Sequence, residues 1–195
     1  MKRKMASAVR QASRQMPSPW PGAFFLTDPT RTPDPVSVVK SLPVGCGVIY
    51  RHFGAAHRFE TAMNLRAACF QKGIPLVIAN DPRLAIRVRA DGVHWPEANA
   101  YKARRWQERF LLQTQSAHSA SGIRDAICDA VLFSTVFPSN SPSARNALGA
   151  TRFRALARKA NRLVYALGGV GGDTAGSVSN HTGLAAIEGF LSTVV

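Results

Sequence analysis

Short apolar runs recur along the chain, and each stops at polar residues or glycines. Runs of four to six such residues, bounded by turn residues, are typical of buried strands. The strongest case is Leu163 to Leu167, which ends at the pair Gly168 and Gly169. The same pattern appears in the segments GAFFLTDP, CGVIYRHFG, IPLVIANDP, DGVHWPE, FLLQTQSAHS and AVLFSTVFPSNS. An eighth strand fits residues 184–187.

Segments whose apolar residues have the spacing of an α-helix lie between these runs. In the longest example, residues 55–71, the apolar positions Phe59, Met63, Ala67 and Phe70 predict the buried face, and Gly73 predicts the end. Further helices are predicted near residues 82–88, 97–109, 119–128 and 150–161. About eight strands alternating with helices predict a parallel α/β fold, and periodicity leaves an eight-stranded barrel and a doubly wound sheet open. In either fold the polar residues that follow the strands collect at one end.

The composition limits which kinds of binding partner are expected. The chain has 195 residues, enough for one domain, and a formal net charge of +14. Residues 1–21 are basic, without acid, and predict a disordered N-terminal extension to a single domain at 22–195. The remaining positive charge favours an anionic small molecule; because it is dispersed, nucleic acid is not the expected main partner. No apolar run is long enough for a membrane span. Three scattered cysteines predict reduced thiols and a cytoplasmic protein, and a homo-oligomer stays open.

Several residues at strand ends could carry chemistry. Gly168 and Gly169 form a plausible anion cradle, although a tight turn would also use them. Arg51 could grip phosphate or form an ion pair. Asp81 could bind magnesium or cap a helix. His118 could act as a general acid and base, or serve as a hydrogen-bonded histidine at the rim.

Five pieces, in order and in register, resemble the thiamine phosphate synthase family and its thiazole tautomerase relatives, the TenI group. They are IANDP at 78–82, ADGVHW at 90–95, QSAHS at 115–119, FSTVFPSNS at 133–141 and YALGGV at 165–170. The resemblance implies a compact single-domain (β/α)8 TIM barrel and a transferase of thiamine biosynthesis. Synthases of this family join an aminopyrimidine diphosphate to a thiazole phosphate, release pyrophosphate and use Mg²⁺.

The resemblance also implies roles for individual residues. Asp81 matches the metal-binding Asp, beside Asn80, and Arg51 matches a diphosphate-contacting Arg. His118 stands at the position of the tautomerases' proton shuttle. The expected catalytic residues are His118 and Ser116; the expected substrate- and phosphate-binding residues are Arg51, Asn80, Ser139, Ser141, Gly168 and Gly169.

The chain also departs from the family pattern. The Gln and Lys that flank the family arginine are absent around Arg51, and Pro96-Glu97-Ala98-Asn99 replaces the run with the second metal-binding carboxylate. The phosphate-loop lysine is also replaced, near Pro142, and Arg145 or His52 could compensate. Three functions therefore stand: a synthase, which we place first; a metal-independent tautomerase-like relative that uses His118; and a non-catalytic barrel that binds a phosphorylated ligand.

Overall fold

Eight parallel strands close into a barrel, in chain order, in the computed structural model, which describes residues 2–141, 144 and 146–191. This confirms the predicted (β/α)8 barrel over the doubly wound alternative. The strands are β1 (Ala23–Leu26), β2 (Cys46–Tyr50), β3 (Leu76–Ala79), β4 (Gly92–Trp95), β5 (Leu112–Ala117), β6 (Ala130–Ser134), β7 (Leu163–Leu167) and β8 (Gly183–Ala186). The last strand pairs with the first, Leu184 opposite Ala23.

The outer layer is built of α1, which precedes the first strand, and of helices that follow the strands, several of them short. The α-helices are α1 (Lys2–Ser13), α2 (Pro35–Ser41), α3 (Arg58–Lys72), α4 (Pro82–Arg87), α5 (Ala120–Arg124) and α6 (Ala150–Arg158). Three connections are 3₁₀ segments: Glu97–Trp106, Ala175–Ser177 and Glu188–Phe190. The segment after β4 was predicted to be a longer helix.

The strands bury both faces, which explains their continuous apolar runs. Phe24 and Leu26 point into the barrel, where they join Ile49 and Tyr165 in an inner cluster. Phe25, between them in β1, belongs instead to the outer cluster beneath the helices. The barrel interior is thus a packed core, and ligand binding is left to the loops at its ends.

Helix α3 begins and ends near its predicted bounds, but the predicted buried face is wrong. Phe59, Met63 and Phe70 are exposed to solvent. The stripe that packs against the barrel carries smaller residues: Ala62, Leu65, Ala68 and Cys69. The aromatic rings are instead covered in part by arginines, with the Arg87 guanidinium 4.2 Å from the centre of the Phe59 ring.

The predicted disorder of the N-terminal extension is also wrong, because residues 2–13 form α1. One side of this helix, Met5, Ala8, Val9 and Ala12, is buried in the outer cluster. It packs where β8 meets β1, beside the 3₁₀ segments that follow β7 and β8. Helix α1 therefore covers the part of the barrel that the short segment after β8 leaves open.

Two further findings bear on the composition. No helix among the described residues has the length and apolar character to cross a membrane. Cys46, Cys69 and Cys128 are free and buried, as the scattered spacing predicts, and burial raises the pKa of each thiol to about 12.

Candidate functional site

A cleft of about 270 Å³ opens where the carboxyl ends of β6, β7 and β8 meet the loops that follow them. Five of the predicted site residues line it: Arg51, Ser139, Ser141, Gly168 and Gly169. The loop after β6 and the glycine loop after β7 both line it and are joined by a hydrogen bond from the Phe137 N–H to the Gly168 carbonyl at 3.0 Å. Of the loop after β6, Pro142, Ser143 and Arg145 lie outside the described residues, so the predicted compensating role of Arg145 has no structural account.

Two arginines meet at the cleft around one carboxylate. Arg51 Nε donates to the Thr27 carbonyl at 3.2 Å, and its guanidinium lies 3.6 Å from Asp28 Oδ2. Arg31 donates to the same Oδ2 at 2.8 Å and reaches towards Glu188 at 3.8 Å. The hydrogen bond from Arg31 lowers the pKa of Asp28 to about 2. Asp28 thus holds two cations in place at the cleft, where their positive charge favours an anionic ligand.

The two glycines are required by close packing as well as by backbone conformation. Gly168 and Gly169 have φ of +89° and +63°. A Cβ at Gly169 would lie 2.3 Å from the Pro138 carbonyl oxygen, in the loop after β6 that packs against it. Within the described part of the chain, the N–H groups of both glycines donate to no backbone carbonyl. This geometry unites the two predicted uses, a tight turn and N–H donors for an anion.

Ser116 is tied to a buried histidine below the rim. His94 Nδ1 lies 2.7 Å from Thr114 Oγ1, and its Nε2 lies 3.1 Å from Ser116 Oγ. Burial, helped by the positive charge of Arg51, lowers the pKa of His94 to about 3. His94 is therefore neutral at pH 7. Its Nδ1 is bonded to Thr114, which fixes the ring, and its Nε2 holds the Ser116 hydroxyl in place.

His118 lies behind the wall of the cleft, half-buried. Its Nδ1 is 3.0 Å from the Ser134 carbonyl oxygen, and Ser134 lines the cleft. Because a carbonyl only accepts, Nδ1 carries the hydrogen and Nε2 of the neutral ring keeps its lone pair. The ring therefore has the tautomer that a general base at Nε2 needs.

Asn80 and Asp81 lie apart from this cleft, at the end of β3. Asp81 caps α4, with Oδ1 accepting from the Leu84 N–H at 2.9 Å. Its Oδ2 accepts from Arg58 at 2.7 Å. Asn80 is exposed, and its Oδ1 accepts from the Asn99 amide at 3.3 Å. Both predicted binding residues thus already have protein partners.

The magnesium site implied by the resemblance does not match these residues. Both oxygens of Asp81 have donors, one of them a cation, and Asn99 supplies an amide where a second carboxylate is expected. Glu97 is turned away, since its Oε1 lies 2.3 Å from where a Cβ of Gly122 would be, on the β5 side. Among the described residues no three His, Cys, Asp or Glu side chains come together as a metal site. Magnesium use stays a prediction.

Sequence reasoning missed Arg31 and Arg58. Arg31 lies in a loop beyond Asp28, and Arg58 lies 23 residues before its partner Asp81. Neither sits directly after a strand, which was the signal used to choose candidates. For Arg31 the sequence offers one usable sign, its i,i+3 spacing from Asp28.

The chain is similar to known thiamine phosphate synthases, in agreement with the family resemblance of its motifs. The family model for thiamine monophosphate synthase matches residues 29–190. A thiamine-phosphate synthase of Bacillus velezensis is 29% identical, over 87% of this chain and 82% of its own length. One of Marinobacter nauticus is 41% identical, over 38% of this chain and 36% of its own. A thiamine phosphate pyrophosphorylase from Pyrococcus furiosus has the same fold, with a TM-score of 0.72 at 21% identity and 85% coverage of both chains.

Proposed function

Because the chain belongs to the thiamine monophosphate synthase family, we propose that it joins an aminopyrimidine diphosphate to a thiazole phosphate. The chain is a transferase-type enzyme of thiamine biosynthesis. In the proposed reaction the thiazole nitrogen bonds to the carbon that carries the diphosphate. The carbon–oxygen bond to the diphosphate breaks, and its electron pair leaves with pyrophosphate.

The observation that carries the proposal is the cleft that the loops after β6 and β7 line. Ser139 and Ser141 line it together with the positive-φ glycines Gly168 and Gly169. Hydroxyl and backbone N–H donors of this kind suit a phosphate monoester. We assign the thiazole phosphate to this cleft.

Charge and orientation complete the proposed site. Arg51 and Arg31 would stabilise the negative charge that grows on the leaving group. Ser116, held by neutral His94, would orient a polar atom of the substrate. Binding of phosphorylated substrates and a cytoplasmic location belong to this proposal.

The test is a coupled assay of pyrophosphate release with both substrates. We expect turnover by the wild-type protein and a loss of about tenfold or more in Arg51→Gln, because one charge-assisted contact to the leaving group is removed. Arg83→Gln, an exposed arginine on α4, is the matched control and should keep the wild-type rate. Absence of pyrophosphate release from the wild-type protein would refute the synthase reaction.

His118 supports a second candidate, a thiazole phosphate tautomerase. Its Nδ1 donates to the carbonyl of Ser134, a residue that lines the same cleft, which leaves Nε2 as the ring nitrogen for proton transfer. Proton exchange from thiazole phosphate into deuterated water, followed by NMR, measures this activity directly. Exchange without pyrophosphate release, lost in His118→Gln, would favour the tautomerase. If neither reaction occurs while thiazole phosphate raises the melting temperature, the barrel is a binding protein.

A further inference from the structure

One short segment, residues 51–58, holds both unsatisfied side-chain atoms of the described core. It comprises the loop after β2 and the first residue of α3. His52 Nε2 and Arg58 Nε are buried and have no hydrogen-bond partner among the described residues. Buried polar groups are otherwise nearly always paired, so two unpaired groups in one short segment call for an explanation. The segment begins at Arg51, which lines the cleft.

Arg58 is held in place by its other nitrogens. One terminal nitrogen donates to Asp81 at 2.7 Å, and the other donates to the Ala79 carbonyl at 3.2 Å. The Phe53 ring lies 5.7 Å from the guanidinium carbon and is itself 56% exposed. The guanidinium is thus fixed at the end of β3. Its Nε–H has no partner among the described residues, and the exposed Phe53 ring lies beside it.

His52 is 5% exposed and joined to the same structure through Tyr50. The two rings lie 5.0 Å apart, and the Tyr50 hydroxyl donates to the Arg58 carbonyl at 3.3 Å. The chain therefore folds back on β2, and both His52 and Arg58 contact the Tyr50 side chain.

Arg58 also takes the place of a metal ion electrostatically. A divalent cation would need the Asp81 carboxylate, and the guanidinium already neutralises it at hydrogen-bond distance. A planar fork with several donors is itself a good phosphate ligand. The residue that excludes the metal thus supplies donors for the same kind of ligand.

We propose that the segment of residues 51–58 binds the diphosphate group of the substrate without a divalent metal, through Arg51, His52 and Arg58. The Nε–H of Arg58 and the Nε2 of His52, as an N–H donor, take diphosphate oxygens when the Phe53 ring moves aside. This inference rests on the proposed synthase reaction for the identity of the ligand. Binding itself requires no turnover.

The test is calorimetric titration of the full chain with inorganic pyrophosphate, once with magnesium and once with a chelator. We expect the two dissociation constants to agree within about threefold, because the cations are provided by side chains. Arg58→Gln and His52→Gln should each weaken binding in chelator by about tenfold. Arg58→Lys, which keeps the charge but not the fork, should fall between wild type and Arg58→Gln.

Two matched controls separate this role from general charge and stability. Arg66→Gln removes another α3 arginine with a carboxylate partner, Asp91 at 2.9 Å. His57→Gln removes an exposed histidine of the same loop, 83% accessible at its side chain. Both should bind pyrophosphate as the wild type does.

Three results would overturn the proposal: no binding in either buffer, binding weakened more than about tenfold by the chelator, or wild-type binding by both Arg58→Gln and His52→Gln. If Arg58→Gln does not fold, the comparison of buffers and His52→Gln decide. Absence of turnover with both substrates, alongside metal-free pyrophosphate binding, would refute the synthase function and leave the binding site standing.

Discussion

Acidification should destabilise this protein through His94 well before its carboxylates are protonated. His94 is buried, hydrogen-bonded at both ring nitrogens, and has a pKa of about 3 in the folded state. In the unfolded chain a histidine has a pKa of about 6.5. Below that value the unfolded state binds a proton that the folded state does not bind. The contribution of His94 to the unfolding free energy is therefore fully present above about pH 6.5 and falls towards pH 3.

The size of the effect follows from linkage. Each pH unit in this window costs up to about 1.4 kcal/mol, so lowering the pH from about 6.5 to 4.5 should remove about 2 to 3 kcal/mol of unfolding free energy. Burial also lowers the pKa of His52, which adds a loss of the same sign. Asp28, with its pKa of about 2, keeps its contribution until the pH falls below about 4.

Equilibrium urea denaturation across this pH range measures the slope. His94→Asn should flatten it, because the substituted side chain does not titrate, whatever the variant's stability at neutral pH. His57→Asn, at an exposed position, should keep the wild-type slope. A wild-type free energy that stays constant between these pH values, or an equal slope in His94→Asn, would refute the assignment of His94 as a buried neutral histidine.

Two further substitutions test the packing that builds the site and its support. Gly169→Ala should lower the free energy of unfolding by about 1 to 3 kcal/mol and weaken thiazole phosphate binding, because its Cβ meets the Pro138 carbonyl at positive φ. Its control is Gly176→Ala, which has open space around it and should leave the free energy of unfolding in urea unchanged. Met5→Ala should cost about 2 to 4 kcal/mol by the same measurement if α1 is part of the core. The exposed Val44→Ala is its control, and a Met5→Ala variant as stable as wild type would show that α1 is dispensable.

The strands could be predicted from the chain because each carries its own signal, an apolar run with a polar end. The predicted bounds of β7, Leu163 to Leu167, agree with the structure residue for residue. Which stripe of α3 faces the barrel could not be predicted in the same way. Its larger apolar residues have helical spacing, but the space beneath the helix accommodates Ala62 and Ala68, and the rings of Phe59 and Phe70 lie outside against arginines.

Part of the candidate site could likewise be predicted from the sequence, and part of it could not. Arg51, Ser139 and the two glycines could be found because they stand directly after strands or match a family segment. The engagement of Asp81 by Arg58 could not, because it joins a helix start to a strand end through tertiary structure. Composition also misled at the N-terminus, where a basic segment without acid conceals an apolar side of four residues, Met5, Ala8, Val9 and Ala12.

The position of α1 has a consequence for the order in which the chain can fold. Its partners lie at the far end of the sequence: Gln11 accepts from the Ser179 hydroxyl at 2.6 Å, and Lys4 reaches Asp173 at 2.8 Å. During synthesis α1 emerges before the barrel strands but can bury Met5 and Val9 only after β7 and β8 exist. Helix α1 is thus made before the barrel, and it docks only when the barrel is complete.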